Sequence, residues 1–147
     1  MKITIIIPVY NEEKYILKIL NQVNEQKKIQ ELEIIVVDDN STDRTQSILN
    51  ENSDLYDFII FKDKNEGKGS AIISGINKAS GDYILIQDAD LEYNPENYDD
   101  LIKPIISKKT NIVYGSRVLN KENYLTKRNF TSKFRIFGNY ILTKVSN

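Results

Sequence analysis

The chain contains no cysteine and no histidine. Without cysteine there are no disulfides and no thiolate metal sites, and the redox compartment stays unmarked. Without histidine, imidazole-based zinc sites, Ser-His-Asp triads and histidine general bases are excluded together. Acid–base chemistry must then come from carboxylates, lysine, tyrosine or the substrate. No apolar run approaches the roughly 20 residues of a membrane span. Met1-Lys2-Ile3 runs directly into a strand pattern, without a small-residue cleavage site, so no signal peptide is expected. Excess charge of either sign is missing too: 20 basic and 21 acidic groups leave a net charge of −1. That balance argues against a broad nucleic-acid-binding face. Neither repeats nor low-complexity segments occur.

What is present suits an ordinary globular protein. The 147 residues are 40% hydrophobic and 28% charged, enough for one domain with a real core. Ile3 to Ile7 forms a nearly continuous apolar run, predicting a strand covered on both faces and ended by Pro8. Glu12 or Glu13 opens a helix with Ile16, Leu17, Leu20 and Val23 on one stripe. Glu33 to Val37 predicts a second buried strand. Ser41, Thr42 and Asp43 are candidate N-caps for a helix carrying Ile48 and Leu49. Phe58 to Phe61 predicts a third strand, followed by a helix with Ala71, Ile72, Gly75, Ile76 and Ala79. Tyr83 to Gln87 predicts a fourth strand. A helix from Pro95 or Asn97 buries Leu101, Ile102, Ile105 and Ile106, kinked or divided at Pro104. Asn111 to Tyr114 predicts a fifth strand. The alternation implies a doubly wound, mostly parallel α/β sheet. Asn120 to Arg128 reads as a polar loop, and Phe134, Phe137, Tyr140 and Ile141 give the basic C-terminal stretch an apolar helical stripe.

The chemistry concentrates after Tyr83-Ile84-Leu85-Ile86, where Asp88, Asp90 and Glu92 occupy alternate positions. In an extended segment alternate side chains point the same way. Three crowded carboxylates call for a cation, and oxygen-only ligands suit magnesium or manganese, which completes its shell from substrate phosphates. The same triplet also fits a polar strand end that starts a turn. Other polar groups follow other strands: Tyr10-Asn11-Glu12, Asp38-Asp39 and Gly115-Ser116-Arg117. With strand order 3-2-1-4 they converge at the switch point, where doubly wound sheets bind ligands. Asp38 and Asp39 fit either helix-dipole acids or a binding role. Arg117 fits either a surface cation or a phosphate fork. Pro8-Val9-Tyr10-Asn11-Glu12 is no glycine-rich fingerprint, which disfavours NAD and also a nucleotidyltransferase's triphosphate loop. Gly67-Lys68-Gly69 lacks P-loop spacing and suits a tight turn and close helix packing.

Taken together, Ile7-Pro8-Val9-Tyr10-Asn11-Glu12, Val37-Asp38-Asp39-Asn40-Ser41-Thr42-Asp43, Asn65-Glu66-Gly67-Lys68-Gly69, Asp88-Ala89-Asp90 and Tyr114-Gly115-Ser116-Arg117 resemble, in that order, the family 2 glycosyltransferases of the GT-A fold. The subgroup they most resemble is the polyprenyl-phosphate (dolichyl-phosphate) mannose and glucose synthases. The resemblance implies transfer of a sugar from a nucleotide-sugar such as GDP-mannose or UDP-glucose to a polyprenyl phosphate or glycan. It implies that Pro8, Tyr10, Glu12, Asp38, Asp39, Lys68, Asp88 and Ala89 hold the nucleotide-sugar. It implies further that Asp88, Asp90 and Glu92 bind Mg2+ or Mn2+, that Asp90 and Arg117 act on the diphosphate, and that Arg128 and Ser132 meet the acceptor phosphate.

On the same resemblance, residues 1–118 form the nucleotide-sugar-binding α/β domain and 119–147 a basic loop and amphipathic helix. The expected location is cytoplasmic, with the tail either at the membrane face or packed as an ordinary helix. An anionic lipid-phosphate acceptor needs no strong base, which suits a chain without histidine. Family members usually continue further, so the acceptor part is expected to be lacking, and a nucleotide-sugar-binding module without turnover is the alternative.

Overall fold

In a computed structural model of the chain, residues 1–27 and 31–115 are described. They form β1 (Ile3–Val9), α1 (Ile16–Gln26), β2 (Leu32–Asp38), α2 (Thr45–Glu51), β3 (Phe58–Phe61), α3 (Lys68–Lys78), β4 (Tyr83–Ile86) and α4 (Tyr98–Ile106). Short 3-10 turns lie at Ser53–Leu55 and Pro95–Asn97. The sheet order is β3-β2-β1-β4, all parallel, as expected. Two compact units are distinguished, Met1–Asp100 and Leu101–Asn147. Everything that follows on the cleft concerns the first.

Continuous apolar runs place β1 and β2 at the centre, where every residue of β2 is buried. Ile6, Ile35 and Val37 share one face of the sheet and pack with Ala71 of α3. Ile5, Ile7, Ile34 and Val36, equally buried, fall on the opposite face by alternation. Right-handed crossovers assign α1 and α2 to that second face, because β1→β2→β3 steps one way across the sheet and β3→β4 steps back. The buried stripe of α1 is Ile16, Ile19, Leu20 and Val23; Leu17, expected on that stripe, is exposed, and Ile19 takes its place.

Close helix packing comes at Gly75, where α3 crosses β1. A Cβ there would lie 2.5 Å from Cγ2 of Ile6, itself fully buried. Gly75→Ala is therefore expected to cost about 1–3 kcal/mol through overpacking, read as a lower denaturation midpoint with an unchanged slope. Gly67 has the positive φ (+88°) of a tight turn, whereas a Cβ on Gly69 would meet open space.

Several boundaries differ from the sequence reading. β1 runs through Pro8 to Val9. Ile6 accepts a hydrogen bond from Gln87 N on the β4 side and Val9 accepts one from Asp39 N on the β2 side. Alternation turns the Pro8 nitrogen, which has no proton, toward the β4 side. Pairing with β4 stops at Ile6–Ile86, so no ladder bond is lost there. α1 begins at Ile16 rather than Glu12 or Glu13, after a turn in which Tyr15 N and Ile16 N both bond Glu12 O. α2 has no side-chain cap bond, and Pro104 lies inside α4, a single helical segment.

The expected fifth strand at 111–114 is absent: Ile112 is 67% and Tyr114 88% exposed, outside any ladder. A strand exists by pairing its backbone, and β-branched composition alone does not supply a partner. The polar loop at 120–128 and the amphipathic stretch that follows lie outside the described residues. No described helix is long and apolar enough to cross a membrane.

Candidate functional site

β1 and β4 part company after Ile6, and an open cleft of about 470 Å³ lies at the carboxyl ends of the strands. This is the switch point of the sheet, with β2 and β3 on one side of β1 and β4 on the other. Four loops build it, and each is held by hydrogen bonds the sequence supplies.

The β1–α1 and β2–α2 loops are laced together. Asn11, in the left-handed region (φ 54°), accepts from Thr42 N and Asp43 N on its Oδ1, while its own N–H donates to Ser41 Oγ. Glu12 N donates to Thr45 Oγ1, and Glu13 N to Asp43 Oδ2. Ser41, expected as a helix cap, serves the neighbouring loop instead, while Asp43 serves that loop through Oδ2 and accepts from Thr45 N through Oδ1. Asp39 ties β2 to the β3–α3 loop. Its buried carboxylate accepts from Gly67 N at 2.6 Å and from Glu66 N, and pairs with Lys62 Nζ at 2.9 Å. Burial works to raise its pKa, but Lys62 and the two N–H groups outweigh that and hold it below the ordinary range.

The β4 loop is pinned by Gln87, only 1% exposed. Its Nε2 donates to Asp88 O and Tyr93 O, and its Oε1 accepts from buried Tyr98 Oη at 2.7 Å. These bonds set the path of Asp88-Ala89-Asp90. Asp90 Oδ1 accepts from Glu92 N, and Leu91 adopts φ +61°, an unusual conformation for a bulky residue.

The cleft is lined by Pro8, Tyr10, Glu12, Asp39, Lys68, Asp88, Ala89 and Asp90. Those eight are brought together as the sequence suggested. Two others are not. Asp38 is fully buried, its Oδ2 accepting from Ser41 N and Gln46 Nε2, and it does not line the cleft. Glu92 does not line it either. The chain leaves the strand at Ile86 and turns at Ala89-Asp90, so the alternation assumed for Asp88, Asp90 and Glu92 does not hold. Among the described residues no three such acids are grouped to hold an ion. Arg117, Arg128 and Ser132 lie outside the described residues.

Sequence reasoning missed Val9, Asn65, Gly67 and Ala71 as lining residues. Val9, Asn65 and Gly67 stood inside recognised motifs; Ala71 carried no polar signal. Gln87 and Tyr98 were also missed, because their bond needs the fold to bring them together.

The electrostatics of the two walls are coupled. Burial, then the negative charges of Asp90 and Asp43, push the Glu12 carboxyl above its usual pKa. Opposite, Lys68 Nζ sits 2.6 Å from Asp88 Oδ1.

Comparison with known proteins fits this geometry. The family model described as "Glycosyl transferase family 2" matches residues 4–145. A dolichol-phosphate mannosyltransferase of Pyrococcus furiosus is 36% identical over 99% of this chain. The chain belongs to glycosyl transferase family 2.

It spans 42% of that relative's length. Among solved structures, S. aureus TarS in complex with UDP-GlcNAc is similar over 73% of this chain and 32% of its own, with a TM-score of 0.62 and 33% identity. The mannosyltransferase PcManGT of Pyrobaculum calidifontis, in complex with GDP-Man and Mn2+, is similar over 69% of this chain and 31% of its own, with a TM-score of 0.60 and 30% identity. The donor set here fits such an ion. Two hard carboxylates, Asp88 and Asp90, face one open cleft, and Asp88 already draws a cation.

Proposed function

We propose that this chain carries the donor half of a metal-dependent glycosyltransferase, which moves a sugar from a nucleotide-sugar to a polyprenyl phosphate. The observation that carries the reading is the meeting of Asp88, Asp90 and Lys68 in a cleft at the switch point. The relatives' nucleotide-sugars and the lipid phosphate in the name of the P. furiosus enzyme support it.

On this reading Pro8, Tyr10 and Glu12 form the wall that receives the nucleoside, and Asp39 borders it while tethering Glu66 and Gly67. Asp38 acts from beneath, by holding Ser41 and Gln46. Asp88 and Asp90 hold Mg2+ or Mn2+, with Ala89 allowing the diphosphate close to the turn. Lys68 and, from outside the described residues, Arg117 contribute positive charge to the diphosphate, and Arg128 and Ser132 meet the acceptor phosphate. A bound divalent ion would neutralise charge on the departing diphosphate.

The bond between the anomeric carbon and the diphosphate oxygen breaks, and an acceptor phosphate oxygen forms its bond to that carbon. The nucleoside diphosphate leaves with the electron pair. Because the nucleophile is already an anion, no residue need remove a proton, which accords with a chain lacking histidine. The product lipid implies work at a membrane face, reached peripherally.

Calorimetric titration with GDP-mannose, UDP-glucose and UDP-GlcNAc, each with and without Mn2+, tests the reading. Binding of at least one donor should tighten with metal; no metal-enhanced binding of any would overturn it. A second reading is a nucleotide-sugar-binding module without turnover. It predicts the same binding but no sugar transfer to a short isoprenoid phosphate.

A further inference from the structure

Lys68 is the first residue of α3, directly after Gly67 at φ +88°. The backbone that launches it is fixed, because Asp39 holds the N–H groups of Glu66 and Gly67. The side chain itself is 56% exposed, while the Asp88 it reaches is only 20% exposed. An exposed ammonium on an anchored backbone therefore covers one of the two carboxylates that would receive a metal ion. Lys62 is held differently: it is 9% exposed and pairs with both Asp39 and Glu66, as a structural cation does. Lys68 instead bridges the β3–α3 loop and the β4 loop across the cleft.

We propose that Lys68 is a placeholder cation, occupying Asp88 until a diphosphate draws its ammonium away, so that metal ion and nucleotide enter together rather than separately. This rests on the reading of the cleft as a nucleotide-sugar site. Approaching an empty cleft, a divalent ion meets an ion pair in place of a free carboxylate and is repelled by the ammonium. A diphosphate offers that ammonium anionic oxygens. Lysine suits the exchange, being a compact charge on a flexible four-carbon stem. Asp88 is then released to the metal. Linkage makes the effect reciprocal, each ligand raising the affinity for the other. The cleft stays closed to stray divalent ions until the donor's phosphates arrive.

The test measures Mn2+ binding by electron paramagnetic resonance on the full chain, without nucleotide and then with saturating UDP or GDP. Lys68→Met should bind Mn2+ alone about tenfold more tightly than the parent, within the usual range of coupling. Its Mn2+ affinity should also respond less to nucleotide. Lys68→Arg, which keeps the charge, should hold the low affinity for Mn2+ alone. Unchanged Mn2+ affinity in Lys68→Met, with nucleotide still recruiting the ion, would overturn the placeholder role and leave the donor site standing. No Mn2+ binding to any form, with or without nucleotide, would overturn both. A simple diphosphate ligand at this position would weaken nucleotide binding without improving that of Mn2+ alone, so the gain distinguishes the two roles.

Discussion

Asp90→Asn is expected to lower the affinity for a nucleotide-sugar in the presence of Mn2+ by about 100-fold, equivalent to about 2.7 kcal/mol. The change is isosteric and keeps the Oδ1 that accepts from Glu92 N at 3.0 Å. The turn after Ala89 should therefore survive, and so should the melting temperature. What disappears is one of the two negative charges that face the cleft from the β4 loop. A hard divalent ion bound by only two carboxylates loses much of its protein-derived attraction with either one. A second consequence appears at Glu12, whose carboxyl is pushed up by burial first and by Asp90 next. In Asp90→Asn its pKa should fall part of the way back, visible by carboxyl NMR. Calorimetry checks the affinity, and an unaltered Mn2+-dependent donor affinity would remove Asp90 from the metal site.

The second large effect lies at the opposite end of the sheet. Glu33 on β2 is 4% exposed, yet its carboxylate is fully engaged. It accepts from Lys2 Nζ at 2.8 Å, Thr4 Oγ1 at 2.6 Å, Ser80 N at 2.8 Å and Ser80 Oγ at 2.5 Å. Thr4 Oγ1 in turn accepts from Gly81 N. One acid thereby joins the starts of β1 and β2 to the turn that feeds β4.

Glu33→Gln keeps the shape but replaces an acceptor-only group by one carrying two donors, which face the hydroxyl and ammonium donors around it. The expected cost is about 3 kcal/mol, near the lower limit for breaking a buried pair, since Lys2 can still reach water. Thermal unfolding should shift down by on the order of 10 °C. Metal-dependent donor affinity should persist, because the cleft is at the other end of the strands.

The same group sets a pH dependence. Burial favours the neutral acid, but the Lys2 ammonium and the hydrogen bonds from Ser80 and Thr4 prevail and hold the pKa at about 2. The unfolded chain titrates in the usual range for glutamate, about 4.3. A folded-state pKa below the unfolded one means the stabilisation is complete above the unfolded value. It is lost as pH falls from there toward 2. Glu33→Gln should flatten the stability–pH curve over that window; an acid limb as steep as the parent's would show that other carboxylates carry it.

Much of this was readable in the residues themselves. Ile3 to Ile7 and Glu33 to Val37 are apolar almost without break, and only strands covered on both faces need that. Alternation with amphipathic helices then implied a parallel, doubly wound sheet, and the 3-2-1-4 order entered as the arrangement that would bring the polar loops to one edge. Tyr10, Glu12, Asp39, Asp88 and Asp90 could be named because polar residues directly after buried strands have one edge at which to meet, whereas Pro8 and Lys68 came only with the resemblance to the glycosyltransferase family. Periodicity, however, describes a segment only while its backbone stays regular. Once β4 ended at Ile86, a left-handed Leu91 and the turn at Asp90 took Glu92 out of the set.

Composition determined the class of chemistry: a chain without histidine or cysteine is left with carboxylates, lysine and tyrosine. Only the tertiary structure decided which of them work together. Asp38 and Asp39 are adjacent and alike in sequence, yet one is buried against Ser41 and Gln46 and the other borders the cleft. The bonds Lys68–Asp88, Gln87–Tyr98 and Glu33–Ser80 join residues 11 to 47 positions apart. Such pairs leave no periodic trace, because their geometry is set by how separate strands, helices and loops are brought together and not by any local preference of the chain.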